Sequence, residues 1–142
     1  MCGIAGVYNL HSDKTIDQKK FQSSLLSMAY RGPDAHAVKT FQNTVVFGHL
    51  RLSIIDLQEE SNQPFQIDER YWIIFNGEIY NYIELRDELK EQGCKFRTSG
   101  DTEVLLRSYQ AWGEDCVNKF NGMWSFAIYD AQTKKLFCSR DR

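Results

Sequence analysis

The chain has 142 residues and a formal net charge of −2 at pH 7, enough length for one domain with a real core. Apolar residues make up 42% and charged residues 25%, an ordinary globular balance with no basic footprint for nucleic acid or a membrane surface. No apolar run approaches the ~18 residues of a membrane span, and the start lacks the basic-then-apolar order of a signal peptide, so the expected compartment is the cytoplasm.

The chain opens Met1, Cys2, Gly3, Ile4. Methionine is trimmed when its neighbour is small, and trimming would leave Cys2 carrying both a thiol and a free α-amine. An α-amine titrates at about 7.7–8.0 and a free thiol at about 8.5, so the amine is a usable base near neutrality. An N-terminal amine that activates its own side-chain nucleophile is a recognised arrangement. Direct transfer from sulfur to nitrogen would close a badly angled five-membered ring, so a bridging water is expected. Alone, these four residues favour a plainer reading, a small buried hydrophobe opening a strand.

Residues 2–10 are small, apolar and β-branched, and predict a strand buried on both faces. His11 to Lys14 reads as a turn. Thr15 and Gln18 resemble a capping box, with Phe21, Leu25 and Met28 at helical spacing, which predicts a helix over residues 16–30. Arg31-Gly32-Pro33-Asp34 ends it. Two strands around Gln42-Asn43 form a hairpin, the second continuing through Arg51 to Ile55. An arginine in so apolar a stretch calls for an anion, unless it lies on an edge strand or the surface.

Gln58 to Gln66 is polar and proline-punctuated, hence loop. Tyr71 to Phe75 is a buried strand that runs into Asn76-Gly77-Glu78. Asn-Gly after a β run normally marks a hairpin, but no matching strand follows. The pair could instead present a side-chain amide and a backbone N–H to a developing negative charge, as an oxyanion hole does. Asn81 starts a helix with Tyr82, Leu85 and Leu89 on one face, ending at Gly93. Cys94 to Arg97 reads as a short strand. Asp101 precedes a helix bearing Leu105, Tyr109 and Trp112, and its simplest role is the N-cap. A short helix over Asp115 to Lys119 and a hairpin of Met123–Tyr129 with Lys135–Ser139 complete the order. Cys2, Cys94, Cys116 and Cys138 show neither Cys-x-x-Cys nor zinc-ligand spacing, so free thiols and no metal are expected.

Five separated motifs now stand in one order. They are Met1-Cys2-Gly3-Ile4, Arg31-Gly32-Pro33-Asp34, Arg51-Leu52-Ser53-Ile54-Ile55-Asp56, Asn76-Gly77-Glu78-Ile79-Tyr80-Asn81, and Ser99-Gly100-Asp101-Thr102-Glu103-Val104. With Gly122 to Asp130 in support, this set resembles the glutaminase domain of class II glutamine amidotransferases, within the N-terminal nucleophile hydrolases. The likeness is greatest to glutamine-dependent asparagine synthetase and spans essentially the whole chain. Enzymes that aminate sugar phosphates or phosphoribosyl pyrophosphate share the Cys start and the Asn-Gly but are less similar elsewhere.

The resemblance implies an α+β fold, a four-layer αββα sandwich of two antiparallel sheets. It implies that Cys2 attacks the side-chain amide of glutamine, with Asn76 and Gly77 stabilising the oxyanion. Arg51 would grip the α-carboxylate, and Asp101, with Glu78, would neutralise the α-ammonium. Leu52, Ser53, Ile54 and Ile55 would line the substrate pocket. No metal or cofactor is implied in this domain; ATP and Mg belong to a C-terminal synthetase domain expected in the full-length chain. A homodimer is compatible with the family.

Family members commonly carry other residues at Tyr30, at Ala37 or Val38, and at Leu50, none a catalytic position. Amidotransferases of bacterial surface sugars are an alternative branch, and a non-catalytic, unprocessed or truncated domain is an alternative of another class. A self-processing protease fits less well, since no propeptide precedes Cys2. The family domain runs some tens of residues past position 142, so residues 1–142 are expected to be a glutaminase domain incomplete at its C-terminus.

Overall fold

The structure, a computed structural model, describes residues 2–10 and 15–142. The expected turn from His11 to Lys14 lies outside them. Strand β1 is Gly3–Tyr8, helix α1 Gln18–Leu26, β2 Ala35–Phe41 and β3 Val45–Arg51. There follow β4 (Phe65–Ile67), β5 (Tyr71–Ile79), α2 (Tyr82–Glu91), α3 (Asp101–Trp112), β6 (Gly122–Asp130) and β7 (Lys135–Arg140). One antiparallel sheet has the order β1-β3-β2, the other β4-β5-β6-β7.

Alternation along the strands sets the layers. On β3, Val45 and Phe47 meet Ile74 of β5 and Tyr129 of β6, so the two sheets face each other across an aromatic core. The next residues on β5, Ile73 and Phe75, point to the opposite face and pack with Leu85, Leu89, Val104, Leu105 and Leu106 of α2 and α3. On the far side of β3 lies α1, where a Cβ at Gly48 would approach the side chains of Leu25 and Phe21 to 2.8 and 2.9 Å. The order is helix, sheet, sheet, helices, the expected αββα sandwich.

Several expectations are corrected. Among the described residues β1 is an edge strand with one neighbour, not a strand buried on both faces: Ile4 and Tyr8 pack against the inter-sheet core while Val7 is 41% exposed. α1 is capped by Asp17, whose carboxylate accepts from the Lys20 N–H, and not by a Thr15–Gln18 box. β3 stops at Arg51 rather than running to Ile55, since the chain must turn away to feed its carbonyls to that arginine. Cys94 to Arg97 is not a strand, and β4 begins inside the segment expected to be loop. No helix among the described residues is long and apolar enough to cross a membrane.

Candidate active site

The site sits at the end of the inter-sheet core, where the same two-residue period carries polar residues in place of apolar ones. On β3 the face of Val45 and Phe47 continues as His49 and Arg51; on β5 the face of Ile74 continues as Asn76 and Glu78. Ile4 of β1 packs against the inter-sheet cluster, so Cys2, two residues earlier, is carried to this end. Together with Asp101 they line one cavity of about 150 Å³. Sites for drug-sized ligands occupy roughly 300–1,000 Å³, so this one suits a small metabolite. Leu52, Ser53, Ile54, Ile55 and Gly77 line it too, so every catalytic or substrate-binding candidate named from the sequence reaches the same space.

Cys2 is half-buried and held from two sides. Its Sγ accepts the Leu52 N–H at 3.3 Å and lies 3.6 Å from the Leu52 carbonyl, while the Arg31 Nε donates to the Cys2 carbonyl at 3.2 Å. Asp34 braces the same loop by accepting the Ser53 N–H at 2.7 Å. Gly32 makes this possible, because any Cβ there would run into the backbone of Leu50 and Arg51. Cys94, Cys116 and Cys138 are free thiols outside the cavity. Burial pushes the Cys116 thiol up to about 12, leaving it inert.

The Asn-Gly pair lies within β5, not in a turn after it, with Asn76 opposite Ser125 and Gly77 opposite Trp124 on β6. β4 covers the other edge of β5 only from Tyr71 to Ile73, so that edge is open beyond. Side chains take its N–H groups: Gln63 Oε1 accepts from Phe75 at 2.6 Å and Asp101 Oδ2 from Ile79 at 3.0 Å. By the period of two, the N–H of Gly77 lies between them on the same edge, facing the cavity that Gly77 lines. The neighbouring Asn76 Oδ1 is buried without a partner, and so is Nε2 of His49. Buried polar groups without a partner are uncommon in folded proteins, and both of these residues line the cavity.

Arg51, 8% exposed, has a job inside the protein as well as toward the cavity. Nη1 donates to the Gln58 carbonyl at 2.9 Å and to Asn62 Oδ1 at 2.6 Å, and Nη2 donates to the Asp56 carbonyl. A guanidinium has five donors, so two remain for an anion. Asp101 is not the N-cap of α3: Gly100 caps the helix and Asp101 is its first residue. Burial pushes the Asp101 carboxyl up to about 6, opposed by the Ile79 N–H and reinforced by the charge of Glu78. Burial raises Glu78 as well. Two acids that resist ionising side by side gain most from a cation between them. His49 is pushed down to about 4 by burial, so it is neutral at the cavity floor.

Sequence reasoning left Asp56, Gln63 and His49 without roles. Asp56 carried a readable signal, since Asp followed two positions on by a loop N–H is the pattern of an Asx turn. Gln63 and His49 carried none, because their partners, Phe75 and Thr102 for the one and the β5 face for the other, are distant in sequence.

A cysteine at the head of the first strand, set over a polar cavity between two facing sheets, has the layout of the N-terminal nucleophile hydrolase fold. The fold agrees: the glutamine phosphoribosylpyrophosphate amidotransferase of Bacillus subtilis, solved with ADP and GMP, matches at TM-score 0.76 and 19% identity, over 97% of this chain and 37% of that one. The model of the glutamine amidotransferase domain matches residues 1–142, and the chain belongs to that family. Among curated relatives it is 46% identical to glutamine-hydrolysing asparagine synthetase 1 of Bacillus subtilis (strain 168), over 99% of this chain and 22% of the relative. It is 33% identical to asparagine synthetase B of Escherichia coli (strain K12), over 99% of this chain and 25% of the relative. It thus spans about a quarter of the length of these relatives or less.

Proposed function

We propose that the chain hydrolyses the side-chain amide of L-glutamine to glutamate and ammonia, as the ammonia-producing part of an asparagine synthetase-like enzyme. The supporting observation is the open edge of β5, where the Gly77 N–H and the Asn76 side chain share a cavity with the sulfur of Cys2. With Met1 removed, the Cys2 α-amine takes the thiol proton through a water, and the sulfur adds to the amide carbon. The Gly77 N–H and the Asn76 amide hold the oxyanion; each such donor contributes about 2.7–4 kcal/mol in comparable enzymes. Collapse forms a glutamyl thioester and expels ammonia, protonated by the same amine. Water then adds to the thioester, and glutamate and the thiol are released. Arg51 anchors the α-carboxylate with its two remaining donors, and Asp101 with Glu78 anchors the α-ammonium. The ammonia passes to a synthetase domain that uses ATP and Mg, carried by the rest of a longer chain.

The test is ammonia release from glutamine, with intact mass to establish loss of Met1. Cys2→Ala should abolish release with the fold retained. Undiminished turnover in that variant rejects the mechanism, and retention of Met1 in active protein rejects the amine as base.

A further inference from the structure

Asp56 is 8% exposed and touches both halves of the site. Its Oδ1 accepts the Gln58 N–H at 3.0 Å, closing a turn in which the carbonyls of Asp56 and Gln58 both receive the Arg51 guanidinium. Its Oδ2 accepts the N–H and the hydroxyl of Ser99, each at 2.9 Å, two residues before Asp101. The contact is close, since a Cβ at Gly100 would sit 3.4 Å from the Asp56 Cβ. From the other side Arg86 donates to the carbonyls of Thr98 and Gly100 at 2.7 and 2.8 Å, so this loop is pinned across its width.

We propose that Asp56 is a positioning residue that fixes the distance between Arg51 and Asp101, and so selects a ligand bearing an α-carboxylate and an α-ammonium on one carbon. This rests on the assignment of those two residues as the anchors of glutamine. Burial alone would push the Asp56 carboxyl up, but the bonds from Gln58 and Ser99 hold it well below the usual range, so it stays ionised throughout the working pH. Two anchors at a set spacing discriminate against ligands that satisfy only one.

The test compares wild type with Asp56→Asn, whose amide cannot accept from Ser99 while keeping the turn to Gln58. The readouts are KM and kcat for glutamine, and inhibition constants for two analogues, 4-aminobutanamide without the carboxylate and glutaramate without the ammonium. The expected result is a glutamine KM raised about tenfold or more, the scale of a lost charged hydrogen bond, with kcat and both inhibition constants within about twofold of wild type. Equal weakening of all three ligands, or an unchanged KM, overturns the inference. Should Asp56→Asn not fold, Ser99→Ala removes only the hydroxyl bond and should give the same pattern at severalfold. A wild type that releases no ammonia from glutamine overturns the underlying assignment, and this inference with it.

Discussion

The sulfur of Cys2 accepts the backbone N–H of Leu52 at 3.3 Å, across fifty residues of sequence. The proposed nucleophile is therefore referenced to the residue that follows Arg51, and through it to the proposed anchor of the α-carboxylate. Arg31 completes the clamp on the Cys2 carbonyl at 3.2 Å. Arg31→Ala should lower kcat for ammonia release about tenfold, the scale of one charged hydrogen bond, with little change in KM. Steady-state kinetics on the folded variant decides it; a change in KM alone would place Arg31 in ligand binding instead.

Arg51 makes internal bonds that its sequence context did not disclose. Removing it strips the Gln58 and Asp56 carbonyls and Asn62 Oδ1 of their donor in a setting that is buried at Asp56 and partly buried at the other two. Arg51→Ala should therefore cost about 3 kcal/mol or more of stability in addition to glutamine affinity. Arg51→Lys should recover little, because one ammonium cannot reproduce the planar fork. Urea midpoints measured without substrate separate the two effects. An Arg51→Ala protein as stable as wild type would show that the internal bonds contribute nothing.

Gly77 is required by space. A Cβ there would collide with the Met123 carbonyl and come within 2.7 Å of the Trp124 Cα, both backbone of the paired strand. Gly77→Ala must push β5 from β6 and move the N–H that faces the cavity. The expected loss in kcat is about 10²–10³, that of an oxyanion donor. Gly93 offers the contrast: it has φ +90 and open space around it. Gly93→Ala should cost about 1 kcal/mol of stability and leave ammonia release unchanged. Similar kinetics for the two variants would contradict the assignment of the Gly77 N–H.

The order of motifs, through the family it resembles, carried both the site and the layers, and hydrophobic period carried single elements. Ile73 and Phe75 alternate with Trp72 and Ile74, which is legible as a strand buried on both faces. What was not legible depends on contacts between distant segments. β4 is three residues long and is a strand only because β5 receives it. Beyond it Gln63 and Asp101 take the Phe75 and Ile79 N–H groups of β5, and no local pattern announces side chains that stand in for a strand. Asp101 looked like a cap because Asp before a helix usually is one. Its carboxylate bonds instead to Ile79, twenty-two positions earlier, which turns it toward the cavity.

Asp101 and His49 oppose each other in acid. The Asp101 carboxyl titrates at about 6 in the fold against 3.8 ordinarily, so the folded state binds that proton more tightly. Its contribution to stability is full below 3.8 and is lost as pH rises through about 6. His49 titrates at about 4 against 6.5, so its contribution is full above 6.5 and is lost as pH falls through about 4. Either displacement corresponds to roughly 3 kcal/mol at most, and the two slopes have opposite sign across the same interval. Glu78, raised by burial, adds to the slope of Asp101, whereas Asp56 and Asp130 are held low and titrate below it. Stability of the wild type should therefore change little between about pH 4.5 and 6.5. Asp101→Asn should leave the His49 slope exposed, so that stability rises with pH by about 2 kcal/mol over that range. His49→Gln should do the reverse and become less stable as pH rises. Urea unfolding of the three proteins at the two ends of the range is the measurement. Parallel curves would mean that neither buried group changes its proton affinity on folding.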